Sequence, residues 1–109
     1  MYRNRKIGKI LKKEISIIFS QHLQDYRIKM TTVTDVVVSK DLLEAKVFVS
    51  FLYQNSKKEV QKNIKILKNA KNFVKKKLVQ KLNIKFLPKL SFFYDNSLLK
   101  GIKIFNKIK

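Results

Sequence analysis

Apolar residues recur at helical spacing through the first segment, Asn4 to about Gln21, at Ile7, Ile10, Leu11, Ile15, Ile17 and Ile18. Arg5, Lys6, Lys9, Lys12, Lys13 and Ser16 fill much of the other side, which predicts an amphipathic helix with a cationic back. The stretch Gln24-Asp25-Tyr26-Arg27 reads as a polar loop. Thr31 to Ser39 is rich in Thr and Val and predicts a strand. Val33, Val36 and Val38 cannot share one face of a regular strand, so it is either buried on both sides or reset by a bulge. Ser39-Lys40-Asp41-Leu42 turns the chain. Ala45 to Leu52 then puts Ala45, Val47, Val49 and Phe51 on one face of a second strand, and Lys46, Phe48 and Ser50 on the other. The short polar connection makes the pair an antiparallel hairpin.

Ser56 is placed to cap the next helix, with Glu59 three residues on as in a capping box. Its expected buried stripe is Val60, Ile64, Leu67, Phe73, Val74, Leu78 and Leu82, interrupted around Ala70-Lys71-Asn72. Pro88 ends this region and forces an extended chain, so Lys89 to Tyr94 is a third strand. Asp95-Asn96-Ser97 makes a turn, and Ser97 can cap a last short helix through Ile108. The resulting order is α-β-β-α-β-α, an α+β arrangement with helices over one face of a small sheet.

Composition narrows the function. The 109 residues suggest one domain, with 26 Lys+Arg against 7 Asp+Glu and a net charge of +19. With 45% hydrophobic residues the chain has enough apolar surface for a core, so it is not a disordered basic tail. It has no Cys, one His and two Gly, which excludes thiol chemistry and disfavours a His-rich metal site or a Gly-rich phosphate loop. No apolar run is long enough to span a membrane, and no signal-peptide pattern opens the chain. The expectation is a soluble, cytoplasmic protein. Only Arg3, Arg5 and Arg27 are Arg. An A/T-biased coding sequence explains that ratio, but not the scarcity of acids. Such charge fits a nucleic acid or an anionic membrane surface.

Between Lys57 and Lys89 twelve Lys stand against one acid, Glu59. For any one of them a solvated helix face is the more ordinary role. For the whole set that role is a poorer account, since solubility is better served by mixed charges. With the back of the first helix they predict a continuous positive surface for a phosphate backbone. Ala70-Lys71-Asn72 is either a kink between two helical pieces or part of a continuous helix with an exposed Asn. Phe48 and Phe93 fall opposite the main apolar faces, where base stacking is conceivable and core packing or partial burial is favoured. The lone His22 lies near a helix end and is expected to be exposed. Asp41 and Glu44 sit around a turn, where capping accounts for them. No nucleophile–base pair or metal cluster emerges, so no enzyme, cofactor or small-molecule substrate is expected.

Three segments in order resemble bacterial ribosome-binding factor A along nearly the whole chain. They are Met30-Thr31-Thr32-Val33-Thr34-Asp35-Val36, then Ser39-Lys40-Asp41-Leu42 with Ala45-Lys46-Val47-Phe48-Val49-Ser50, and Leu87-Pro88-Lys89-Leu90-Ser91-Phe92-Phe93-Tyr94-Asp95-Asn96-Ser97 running on to Gly101. The resemblance implies a single KH-like (type II) domain over residues 1–109, with an α-β-β-α-β core, a kinked second helix and a three-stranded sheet. It also implies a non-enzymatic, monomeric assembly factor that binds the free, immature 30S subunit. Such a factor assists maturation of 16S rRNA, including 5′-end processing by other enzymes, and matters for growth in the cold. KH domains usually clamp RNA with a Gly-X-X-Gly loop. In this family an Ala-X-Gly helix–kink–helix replaces it and falls on Ala70-Lys71-Asn72, with Asn72 where the family has Gly. Asp25-Tyr26-Arg27 likewise departs from the usual Asp-Pro-Arg.

The candidate RNA-binding residues are therefore Arg5, Lys6, Lys9, Lys12 and Lys13 on the first helix, Arg27, and Lys68, Ala70, Lys71, Asn72, Lys75 and Lys76 around the kink. An architectural DNA-binding protein is the alternative, although no helix-turn-helix, basic arm or Pro-tipped ribbon is present. A peripheral membrane protein is third, because packing on the sheet better explains both apolar helix faces.

Overall fold

The structure, a computed structural model, describes residues 3–22, 24–51 and 56–95. Its elements are α1 (Arg3–Ser20), α2 (Tyr26–Lys29), β1 (Thr31–Val38), β2 (Glu44–Phe51), α3 (Lys57–Asn69), α4 (Lys71–Leu82) and β3 (Lys89–Tyr94). The expected last helix from Ser97 lies outside the described residues.

The three strands form one sheet in the order β1-β2-β3, with β1–β2 antiparallel and β2–β3 parallel. A parallel pair needs a crossover, and α3 and α4 supply it. The register of β1 against β2 shifts between Val33 and Asp35, so a bulge at Thr34 resolves the conflict among the valines. Val33, Val36 and Val38 all end up on the buried face. The Thr34 hydroxyl then reaches across β2 to donate to the Asp95 carboxylate at 2.6 Å. One contact thus pins the bulge to the end of β3.

The core lies between this sheet and the helices. Phe19, Leu11 and Ile15 of α1, Leu67 of α3, and Val74 and Leu78 of α4 are fully buried against Val47, Val49 and Leu90. Burying a Leu or Phe side chain is worth about 1.5–3 kcal/mol. The opposite face of the sheet carries Val37, Lys46, Phe48 and Phe93. Val37 is 50% exposed.

α1 also seals the outer edge of β1. The Asn4 side-chain amide donates to the Val38 carbonyl at 3.1 Å, and the Val36 N–H donates to the carboxylate of Asp35. Gly8 packs so close that a Cβ there would stand 2.8 Å from the Val36 carbonyl oxygen. An exposed strand edge invites pairing with another chain, and these contacts blunt it.

The segment read as a polar loop contains the one-turn helix α2. Asp25 caps it, its side chain accepting from the Arg27 N–H at 2.9 Å. Propensity alone gives no warning of so short a helix, because its stability comes from that cap and the burial of Ile28. Ser56 caps α3 as expected, accepting from the Glu59 N–H. Asn83 closes α4 in the left-handed conformation (φ 51°, ψ 46°), which Asn adopts more easily than most residues.

Candidate nucleic-acid interface

The long second helix breaks at Ala70 into α3 and α4. Ala70 ends one helix and begins the other, with φ −88° and ψ −1°. Its N–H donates to the carbonyls of Ile66 and Leu67, and its own carbonyl accepts from the Val74 N–H. No side chain caps the start of α4, so its first N–H groups depend on other partners.

The kink therefore exists, but it does not strain Asn72. Among the described residues the non-glycine positions with positive φ are Leu42 and Asn83. Asn72 is the second residue of α4, exposed and helical. Although Asn72 stands where the resemblance places Gly, it needs no conformation special to Gly, because the chain turns one residue before α4 starts, at Ala70, with negative φ.

α1 and α4 run side by side in opposite directions. Lys81 near the end of α4 meets the mostly buried carboxylate of Glu14 at 2.8 Å. At the other end of the pair, His22 lies edge-on to Phe73 with ring centroids 5.3 Å apart. The Asp25 N–H donates to His22 Nδ1 at 3.3 Å. The expected exposed His22 is instead half-buried against Phe73. Phe73, expected in the buried stripe, is 43% exposed. The reason is local: α1 ends at Ser20, and among the described residues the His22 ring and Lys77 lie against Phe73 without burying it.

Two recesses meet at this end of the helical layer, both bordered by His22, Gln24 and Phe73. One continues along Ile18, Gln21 and Lys77. The other, about 450 Å³, reaches Asp25, Ile28, Ile66, Asn69 and Ala70 at the kink. Burial by itself opposes ionisation of Asp25. The Arg27 N–H, its guanidinium hydrogen bond at 3.2 Å and its charge outweigh that, holding the carboxyl below its usual 3.8. In the hairpin turn, the Ser39 hydroxyl and then the Leu43 N–H lower Asp41 in the same direction, which matches the capping role expected of it.

The candidate cations divide into two groups. Lys68, Lys71, Lys75 and Lys76 surround the kink, with Lys68 and Lys76 exposed and Lys71 and Lys75 half-buried. Arg27 is tied to Asp25, which borders the kink recess. On α1, Arg5, Lys9 and Lys12 border a separate recess against β1 that also holds Asp35. Lys6 and Lys13 are exposed elsewhere on α1. At 1.5 Å per residue, Arg5 lies about 22 Å along the helix from Ser20 at the kink end. Both groups belong to one helical layer but form two centres.

On the open sheet face Phe48 and Phe93 pack on each other with centroids 5.7 Å apart, and Lys46 Nζ lies 5.9 Å from the Phe93 ring. Phe48 is half-buried there, whereas Phe93 stays 43% exposed. The aromatic that sequence reasoning missed is Phe73, whose spacing alone places it in the core. Its nearness to a helix break was the available signal.

Among the described residues no group of His, Cys, Asp and Glu is arranged to hold a metal ion, and no helix is long and apolar enough to cross a membrane. A family model described as ribosome-binding factor A matches residues 3–108. The fold is similar to the crystal structure of ribosome-binding factor A from Thermus thermophilus, with TM-score 0.69 at 24% identity over 85% of this chain and 97% of that one. It is also similar to a homology model of the Thermus thermophilus factor fitted into a cryo-EM map of its complex with 30S. That match has TM-score 0.68 at 22% identity, over 85% of this chain and 96% of that one.

Proposed function

The chain belongs to the ribosome-binding factor A family, and from that membership we propose that it binds the free small ribosomal subunit and assists maturation of 16S rRNA. The whole chain acts as one KH-like RNA-binding domain, as a monomer in the cytoplasm. It contributes no catalysis of its own, and other enzymes trim the 5′ end of the rRNA. Its need is greatest in the cold, where misfolded RNA escapes slowly from its traps.

The observation that carries this function is the cationic kink. Lys68, Lys71, Lys75 and Lys76 cluster where the helix breaks, and Ala70 keeps the backbone there clear of any large side chain. Lys ammonium groups hold phosphates and release their counterions, which favours binding without reading sequence. The α1 group of Arg5, Lys6, Lys9, Lys12 and Lys13 extends the contact along the RNA backbone.

Sedimentation of a cell extract tests the assignment. The protein should travel with free small subunits. Equal or greater recovery with complete ribosomes contradicts it.

A further inference from the structure

The basic residues explain attraction to RNA, but they leave the recess at the kink without a role. Its floor is apolar, made by Ile28, Ile66 and Ala70. Phe73 forms a wall, and its ring is 43% exposed. The rim is polar, with Gln24 and Asn69 both exposed. At about 450 Å³ the recess lies in the ~300–1,000 Å³ range of small-ligand clefts.

A recess with an apolar floor, one aromatic wall, and His22, Gln24, Asp25 and Asn69 around it suits a planar heterocycle with hydrogen-bonding edges. Single-stranded RNA is recognised in this way, by bases splayed onto aromatic rings and bonded at their edges. The surrounding charge selects the class of occupant. Lys68, Lys71 and Lys75 stand on the same turns of helix and would hold the flanking phosphates. Lys77 Nζ now lies 5.6 Å from the centre of the Phe73 ring. A long flexible Lys can leave that position for a phosphate when a base takes the ring.

We propose that the recess at Ala70 receives one unpaired nucleobase of the bound RNA, stacked on Phe73, with Gln24 and Asn69 at its edge. This rests on the RNA-binding function above and goes beyond it, because phosphate contacts alone need neither an unpaired base nor an aromatic wall.

The test uses the full chain and two synthetic probes of equal length, a single-stranded 12-mer RNA carrying one 2-aminopurine and a duplex RNA. The protein has no Trp, so the fluorescence of the probe is read without interference. The single strand should bind more tightly, with its 2-aminopurine quenched. Phe73→Leu should weaken that binding about tenfold, the order expected for one stacked base. It should leave the salt slope unchanged, because stacking releases no counterions. Phe73→Tyr keeps a stacking ring and should restore both affinity and quenching, which also controls for a folding defect in the Leu variant. A Phe73→Leu variant that binds within twofold of the parent, or a parent that prefers the duplex, overturns the nucleobase site. In either case co-sedimentation with free small subunits still stands or falls by itself. A parent that binds neither probe and misses the small subunit overturns both.

Discussion

At Gly8 the helical layer touches the sheet so closely that a methyl group has no room, whereas at Ala70 the same layer opens and the chain turns at the edge of a recess. The first contact is backbone against backbone. A Cβ on Gly8 would meet the Val36 carbonyl, which cannot move without disturbing β1. At the second position Ala70 ends α3 and starts α4, with φ negative and no strain. Both ends carry cations and border a recess, but the kink end also leaves the Phe73 ring 43% exposed. The backbone seam against β1 and the partly open Phe73 ring thus lie at opposite ends of α1.

The largest effect separating the two ends is expected from Gly8→Ala. Forcing a methyl group into that seam should lower the unfolding free energy by about 1–3 kcal/mol, as overpacking typically does. Chemical denaturation measures it, and at low temperature RNA affinity should be nearly unchanged. A neutral result would show that α1 can shift outward without loss.

Next is Asp25→Ala at the kink end, which removes the cap of α2 and should cost about 1 kcal/mol. The same group gives a pH signature. Its folded-state pKa is depressed, so its contribution is fully present above the ordinary value of 3.8 and is lost as pH falls through the lower folded value. Asp25→Asn should flatten that acid limb of the stability curve, read from denaturation midpoints at several pH values.

Smaller still is Asn72→Gly. Because Asn72 is helical, the change should destabilise by up to roughly 0.5 kcal/mol, the difference in helix propensity, and less if the first turn of α4 tolerates it. A gain in stability would mean that the turn involves Asn72 after all. Lys71→Glu should stay within about ±0.5 kcal/mol in stability while weakening RNA binding. That pairing of outcomes marks the kink as a contact rather than a support.

Much of this contrast was legible in the sequence. Three valines that cannot share a face marked β1 as either bulged or buried on both sides, and Ser56 and Glu59 marked the start of α3. The break at Ala70 was visible as an interruption in an apolar stripe, though a continuous helix fitted as well. What stayed hidden depends on where neighbouring elements stop. Phe73 has the spacing of a core residue, yet it lies beyond the end of α1 at Ser20 and stays 43% exposed. α2 was missed because four residues carry too little periodicity to register, and its cap acts through geometry. The seam at Gly8 was equally silent, since close approach to a carbonyl on β1 is a property of the packed pair.

If the kink end holds RNA phosphates through Lys68, Lys71, Lys75 and Lys76, the salt dependence of binding to free small subunits must follow those four side chains. It is best compared between the parent and a variant with all four changed to Gln. Each neutralised phosphate contributes about −0.7 to −0.9 to the log–log slope. The variant should therefore show a slope shallower by roughly 3, with an unfolding midpoint close to that of the parent. A parent slope near zero, or the same steep slope in both proteins, would contradict phosphate binding at the kink.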